Sequence, residues 1–296
     1  MKKGVWLATG AYFIWGMFPL YWKQIHQVPA LEILGHRIVW SLVFMAAILV
    51  LGRDLPALQG ALRNSGIWRT YLLAGGLLAV NWFTYIWAVN NGYVVEASLG
   101  YFINPLLSVL LGVIFLKEKL RRGQKIAVLL ALAGVLYLTF GYGTLPWIAL
   151  VLAGSFGLYG LVKKTSPLNA RLGLTLEMAV LFLPALGYLM YLNQQGQAAF
   201  GHQTMQTTVL LAFAGVVTAV PLLMFGAAAR SIPLSLVGFL QYLAPTLQFL
   251  IGVLVYHEPF PMERLLGFSL VWLALLVYVL DGWLTNQRGL QAVGRT

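Results

Sequence analysis

The stretch Tyr101-Phe-Ile-Asn-Pro105, followed by Lys117-Glu118, decides the fold because a second version of it occurs in the other half of the chain. The second version reads Gln241-Tyr-Leu-Ala-Pro245 and continues to His257-Glu258. Both versions lie in apolar runs that are long enough to cross a bilayer. A duplicated block of membrane helices predicts an internal repeat, and such repeats commonly enclose a binding site.

The composition excludes a soluble fold. The 296 residues are 60% hydrophobic and only 9% charged, whereas soluble domains carry about 25% charged residues. The chain has no cysteine, which excludes disulfides, thiolate metal sites and cysteine catalysis. The net charge of +11 could indicate a nucleic-acid partner, but the basic residues are grouped as membrane-flanking charges are. We therefore predict membrane lipid as the partner and no nucleic acid.

Apolar windows of about 20 residues, the length that crosses the hydrocarbon core, alternate with charged or Gly/Pro-rich breaks. The windows are 5–22, 31–51, 69–90, 93–116, 123–140, 145–162, 171–191, 208–229, 233–256 and 263–284. The first resembles a signal peptide, but it is too long for one and has an internal counterpart in the second half, so we interpret it as a retained helix. The sequence thus predicts an all-α integral membrane protein with ten transmembrane helices.

Lysine and arginine are distributed unequally between the two sides of these helices. Sixteen of the 19 flank the side that holds both termini, Lys23 and Arg264 flank the other, and Arg37 lies inside a window. This excess predicts cytoplasmic N- and C-termini. Each copy has five helices, an odd number, so the second must be inverted. The predicted units are a first repeat at 4–141, a second, inverted repeat at 144–284 and a cytoplasmic tail at 285–296.

Small residues and prolines occur where helices must pack in lipid. Ala149, Ala153 and Gly157 form a stripe that lets helix backbones approach, and we expect it to pack within a monomer rather than at a dimer face. Pro105 and Pro245 are expected to interrupt the fourth and ninth windows at matching depths, since each lacks a backbone donor. They are either packing devices or flexible points for gating, and their presence in both copies favours gating.

Ionisable side chains inside membrane helices are costly and usually face protein or water. Four stand out in the windows: His36, Arg37, Glu96 and Glu177. Arg37 and Glu96 have similar depths near the outer face, so they either pair there or reach the interface separately. Glu177 has only Lys163 or Lys164 as a positive neighbour at its depth. Glu96 and Glu177 are the candidates for carrying protons, although a structural hydrogen-bonding role is favoured for Glu177.

Polar and aromatic side chains share helix faces near mid-span, at spacings of three or four residues. This pattern predicts a cavity for an organic solute with an apolar body and a few hydrogen-bonding groups. The predicted lining is Tyr12, Trp15, Trp40, Asn81, Tyr85, Tyr101, Asn104, Tyr159, Gln241 and Tyr242. Trp22, Trp68, Trp147 and Trp283 lie near helix ends and are assigned to the interfacial belt.

Several motifs resemble the drug/metabolite transporter superfamily, in its ten-helix EamA branch, and within it the RarD-like permeases. They are Ala11-Tyr-Phe-Ile-Trp-Gly16, His36-Arg37, Trp40-Ser41, Asn81-Trp82, Trp87-Ala-Val-Asn-Asn91, Glu96-Ala-Ser-Leu-Gly-Tyr-Phe-Ile-Asn-Pro-Leu106, Val220-Pro-Leu-Leu223, Gly238-Phe239, Gln241-Tyr242 and Pro245-Thr246. The resemblance covers residues 4 to 286 and implies a multi-pass permease of the bacterial inner membrane, usually an exporter of metabolites or amino acids. It also implies a monomer with one central cavity.

Three function classes are weighed on the residues. A secondary transporter working by alternating access fits the repeat, the prolines and the mid-span polar residues. A passive channel or scramblase is the alternative, but no selectivity ring is found in the sequence. An intramembrane enzyme is disfavoured because there is no Gly-x-Ser-x-Gly elbow and His257-Glu258-Pro259 lacks a second histidine. We predict no catalytic residue, metal or cofactor, and a small-molecule substrate with protons as the candidate coupling ion.

Overall fold

The protein is entirely helical where it is described. The structure, a computed structural model, describes residues 2–91, 93–140, 146–257 and 262–293. Within these ranges the side chains at 89, 90, 94–96, 98, 262–264, 283 and 286–293 lie outside the description. The helices are α1 Lys2–Gly16, α2 Phe18–Trp22, a 3₁₀ turn Lys23–Ile25, α3 Ala30–Leu51, α4 Leu55–Leu62, α5 Ser65–Asn90, α6 Val94–Phe115, α7 Arg122–Phe140, α8 Trp147–Thr165, α9 Ala170–Gln194, α10 Met205–Ser231, α11 Leu234–Gln241, α12 Leu243–Leu254 and α13 Met262–Val293.

The predicted all-α membrane class is confirmed by the length and composition of these helices. Among the described residues, 8 segments are long and apolar enough to cross a membrane, and a shorter apolar helix spans Leu99–Phe115. Many large apolar side chains are exposed on them, such as Leu129 at 64% and Leu183 at 72%. Such exposed apolar surface requires lipid, because water would not tolerate it over so large an area.

Two of the predicted windows are divided in the structure. Window 5–22 is divided at Met17, between α1 and α2, and Pro19 occupies the first turn of α2, where its missing donor costs nothing. Window 233–256 is divided at Tyr242, between α11 and α12. Pro245, in the first turn of α12, cannot donate to the carbonyl of Gln241 and so favours a break at this point.

The expectation that Pro105 interrupts its window is wrong, because α6 continues through it. Tight packing on both sides holds α6 together. A Cβ on Gly238 of α11 would lie 2.6 Å from the carbonyl oxygen of Pro105. On the other side, a Cβ on Gly100 would lie 3.2 Å from the carbonyl oxygen of Ala149 in α8. The predicted stripe that includes Ala149 and Gly157 therefore packs on α6 of the same chain.

Glu118 joins the end of α6 to the beginning of α11. Its carboxylate accepts hydrogen bonds from the backbone N–H groups of Leu234 at 2.6 Å and Ser235 at 2.9 Å. The helix cannot cap itself, because Pro233 precedes it and has no side-chain acceptor. A carboxylate at this position satisfies two free donors and interacts favourably with the helix dipole.

We expect Glu118→Ala to destabilise the protein by about 2 kcal/mol, since it leaves two helix N–H groups without an acceptor. Thermal unfolding of the purified protein measures the effect. Lys119→Ala is the matched control, because Lys119 is the exposed neighbour. Equal unfolding temperatures for the two variants would show that the cap contributes nothing.

Candidate functional site

A cavity of about 350 Å³ lies where the broken helices meet the intact ones. It is bordered by both helix breaks, since α1 and α2 contribute side chains on one side and α11 and α12 on the other. The described lining residues are Tyr12, Trp15, Phe18, Pro19, Trp22, Arg37, Asn81, Trp82, Tyr85, Gly100, Tyr101, Asn104, Leu152, Phe156, Thr218, Leu222, Gln241, Ala244, Pro245 and Gln248. The volume suits a small organic molecule.

The break after α1 leaves backbone carbonyls that need donors. The Nε2 atom of Gln248, on α12, donates to the carbonyl oxygen of Trp15 at 3.0 Å. An amide side chain from one broken helix thus satisfies the end of the other. This bond ties the two breaks together at the cavity wall.

Most of the predicted lining residues do lie at this cavity. They are Tyr12, Trp15, Asn81, Tyr85, Tyr101, Asn104 and Gln241. Asn81 also joins two helices, because its Nδ2 atom donates to the carbonyl oxygen of Leu152 at 2.9 Å and to Ser155 Oγ at 3.0 Å. Its amide donors are therefore engaged within the protein rather than free for a solute.

Trp40 and Tyr242 are predicted at the cavity but lie elsewhere, which corrects the sequence interpretation. The Trp40 ring packs near Phe200, with 6.0 Å between ring centroids. The Tyr242 hydroxyl donates to the carbonyl oxygen of Phe102 at 3.3 Å, inside a separate apolar cluster. Their depths suited the cavity, but helix rotation turns both side chains away from it.

Tyr159 also lies away from the lining, in a buried polar cluster with Glu177. The Tyr159 hydroxyl donates to Glu177 Oε2 at 2.9 Å, and Lys163 Nζ lies 2.7 Å from Glu177 Oε1. Lys163 and Glu177 are 1% and 0% exposed. Both carboxylate oxygens of Glu177 therefore have donors from α8, so this side-chain cluster links α8 to α9, and removing one member of the ion pair would leave a buried charge without a partner.

His36 is buried beside an acid that sequence reasoning missed. Its Nε2 atom lies 3.8 Å from Oε1 of Glu32, which is fully buried. The same oxygen accepts from the N–H groups of Ala199 at 2.7 Å and Phe200 at 3.2 Å. The signal for Glu32 was weak, because an acid in the first turn after Pro29 resembles an ordinary solvated helix start.

Arg37 is placed at the cavity rather than at a helix end. Its Nε atom donates to Thr218 Oγ1 at 3.0 Å, and its guanidinium carbon lies 5.1 Å and 4.9 Å from the ring centroids of Trp22 and Trp82. Cation–π contacts of this kind hold a guanidinium in position. The predicted partner, Glu96, has its side chain outside the described residues.

Some lining residues were not predicted. Trp22 was assigned to the interfacial belt from its position near a helix end, but the break at Met17 carries it to the cavity. Trp82, Thr218 and Gln248 were missed entirely. Of these, Gln248 had a readable signal, since it is an amide in the same apolar span as Gln241 and lies close to Pro245.

Two polar atoms at the cavity have no hydrogen-bond partner, namely the Tyr12 hydroxyl and Asn104 Oδ1. Both residues are buried, at 0% and 4% exposure. Buried polar groups are costly when unpaired, so these atoms favour a bound molecule that hydrogen-bonds to them. Among the described residues no group of three or more His, Cys, Asp or Glu could hold a metal ion.

The chain is similar to proteins of one transporter family. The model of the EamA-like transporter family matches residues 2–140. An uncharacterized transporter, YojE, of Bacillus subtilis (strain 168) is 50% identical, over 94% of this chain and 93% of its own. Protein RarD of Streptomyces exfoliatus is 49% identical, over 97% and 91%. One solved structure superposes with a TM-score of 0.72 over 95% of this chain and 97% of its own, at 19% identity, a likeness of fold alone.

Proposed function

The chain belongs to the EamA-like transporter family and within it to the RarD-like permeases of the drug/metabolite transporter superfamily, and from this premise we propose that it is a secondary active transporter. The proposed activity is export of small organic metabolites, amino acids or drug-like molecules across the bacterial inner membrane. The relatives are bacterial and several are named as transporters. The chain itself is a multi-pass membrane protein.

The observation that carries the proposal is the cavity at the two helix breaks. Breaks in membrane helices leave backbone groups that can contact a solute, and they let helix halves move separately. Residues of both proposed repeats, 4–141 and 144–284, contribute to the lining. Ten helices as two inverted repeats, with both termini cytoplasmic, would allow this cavity to open to one side at a time. The break near Pro245 is the gating point that we propose.

Flux into proteoliposomes, measured with and without a proton gradient for a panel of labelled metabolites, tests the proposal. We expect saturable uptake of at least one compound. Absence of saturable flux for every compound would contradict the proposal. Single-channel conductance would instead favour a passive channel.

Asn104→Ala is expected to abolish the thermal stabilisation given by any compound that binds in this cavity. A ligand that binds only the folded protein raises its apparent stability by about 2.7 kcal/mol at a concentration of 100 times Kd. Asn193→Ala is the matched control, since Asn193 is exposed at the end of α9. A ligand shift that survives Asn104→Ala would place the binding site elsewhere.

A further inference from the structure

We propose that the ligand of this cavity is an organic monocarboxylate with a planar apolar body, a hydrogen-bond donor and no ammonium group. The inference rests on the proposed transport function and names the substrate class of the same cavity. It follows from the charge, the walls and the unpaired polar atoms of the lining.

Charge is the first argument. Arg37 is the only charged side chain among the described residues of the lining. The ion pairs within the described part of the chain join Arg121–Asp281, Lys163–Glu177 and Arg171–Asp54, and none includes Arg37. A cation inside a membrane protein is costly without a counter-charge. The cavity is therefore electropositive and favours an anion.

The geometry of Arg37 favours a carboxylate in particular. Its guanidinium has five N–H donors, of which Nε is used by Thr218. Trp22 and Trp82 fix its position through their rings and do not neutralise its charge. The remaining donors form the planar fork that binds carboxylates through two hydrogen bonds.

The walls favour a planar apolar body. Tyr85 and Tyr101 meet edge to face, with ring centroids 6.0 Å apart. Trp15 and Phe156 form a second aromatic wall, with ring centroids 5.8 Å apart. Aromatic walls stack well on flat ligands. A second cation would be attracted by these rings but repelled by Arg37.

The unpaired atoms favour a hydrogen-bond donor on the ligand. Asn104 Oδ1 can only accept a hydrogen bond, and it is buried without a partner. A ligand hydroxyl or N–H would satisfy it, with the Tyr12 hydroxyl as a second partner. An ammonium group has no described carboxylate in the lining to bind, which disfavours amino-acid zwitterions.

Isothermal titration calorimetry on the purified full-length protein can test this with four compounds that share one ring and differ in charge. They are 4-hydroxyphenylacetate, its amide, tyramine and tyrosine. We expect the acid to bind roughly 10- to 100-fold more tightly than the amide, as charge-assisted hydrogen bonds do relative to neutral ones. We expect tyramine and tyrosine to bind more weakly than the acid. Equal or tighter binding of any of the other three overturns the proposal.

Three variants locate the effect. Arg37→Gln should reduce the acid-to-amide ratio of affinities to about one, and Arg37→Lys should keep part of it. Arg121→Gln is the control, because Arg121 pairs with Asp281 and does not line the cavity. An unchanged acid-to-amide ratio of affinities in Arg37→Gln overturns the proposal. If Arg37→Gln does not fold, the ratios measured for Arg37→Lys and for the wild-type protein decide the question.

Glu96→Gln tests whether a protein carboxylate already neutralises Arg37. We expect the affinity for the acid to change less than threefold, whereas a gain above about tenfold, or 1.4 kcal/mol, would overturn the charge argument.

The transport proposal can be tested separately from the proposed substrate class. Saturable flux of neutral or cationic compounds with no acid binding would refute the substrate class alone. Absence of saturable flux for the whole metabolite panel would refute transport as well.

Discussion

Lys163→Met is expected to lower the unfolding temperature by on the order of 10 °C. The reason is that removing one partner of a buried ion pair leaves the other charge uncompensated, at a cost of about 3–5 kcal/mol in stability. The partner is Glu177, whose Oε1 atom lies 2.7 Å from Lys163 Nζ. Tyr159 donates to the other carboxylate oxygen, and one hydroxyl cannot compensate a full negative charge.

The surroundings of Lys163 leave little room for the structure to adapt. Its Nζ lies 5.7 Å and 5.9 Å from the ring centroids of Tyr159 and Tyr71. A Cβ on Gly226 of α10 would lie 2.9 Å from Lys163 Cε, so α10 packs directly on the lysine stem. Water cannot easily reach the carboxylate of Glu177 in such a site, and the cost of the unpaired charge remains.

The double variant Lys163→Met with Glu177→Gln should recover most of the lost stability, since no buried charge remains. Arg171→Gln serves as the control, because it breaks the ion pair with Asp54 at a site where the arginine side chain is 48% exposed. Exposed pairs contribute about 0–1 kcal/mol. Thermal unfolding at one fixed scan rate compares the variants. Equal losses for Lys163→Met and Arg171→Gln would show that burial does not raise the cost of breaking the Lys163–Glu177 pair.

The fold class was readable from the sequence because hydropathy reports the solvent directly. The helix breaks were only partly readable, because the break near Pro245 was expected and the break at Met17 was not. Proline is common near helix starts and inside membrane helices alike. At Pro19 and Pro245 a break accompanies it, whereas α6 continues through Pro105, where it packs closely against Gly238 of α11 and Ala149 of α8. Packing of this kind depends on tertiary contacts that local sequence does not encode.

The lining of the cavity was only partly predictable from the sequence, because the sequence indicates the depth of a side chain but not the direction in which it points. Position along a window predicts depth in the membrane, and Tyr101, Asn104 and Gln241, which were predicted from such positions, line one cavity. Rotation about the helix axis is set by packing against neighbours. Tyr242 follows Gln241 directly and therefore points about 100° away from it, into the cluster around Phe102. Polar character alone could not distinguish the two.

Gly215→Ala is expected to destabilise the protein by about 3 kcal/mol and to weaken binding in the cavity, because α10 approaches α3 backbone to backbone at this point. An added Cβ would overlap the backbone of Trp40 and would lie 2.6 Å from the backbone nitrogen of Ser41. A main chain cannot rotate away as a side chain can. The helices must therefore separate by about 1 Å to restore ordinary contact distances.

Separation of α3 and α10 acts on the cavity as well as on stability. Ser41 Oγ donates to the carbonyl oxygen of Gly215 at 3.0 Å, and this bond would lengthen. Arg37 lies one turn before Ser41 in α3, and Thr218 lies one turn after Gly215 in α10. Across the same interface, Arg37 Nε donates to Thr218 Oγ1 at 3.0 Å. Loss of that bond would release the cation that faces the cavity, so ligand affinity should fall together with the unfolding temperature.

Gly154→Ala and Gly187→Ala are the matched controls, because nothing lies within 4 Å of a Cβ at either position. Both glycines are inside helices, where alanine is favoured by roughly 0.5–1 kcal/mol. Thermal unfolding and calorimetric affinity for 4-hydroxyphenylacetate separate the two consequences. If Gly215→Ala kept the stability of these controls, α3 and α10 could not approach as closely as described. If it lost stability but kept full affinity, the α3–α10 contact would not be what positions Arg37 at the cavity.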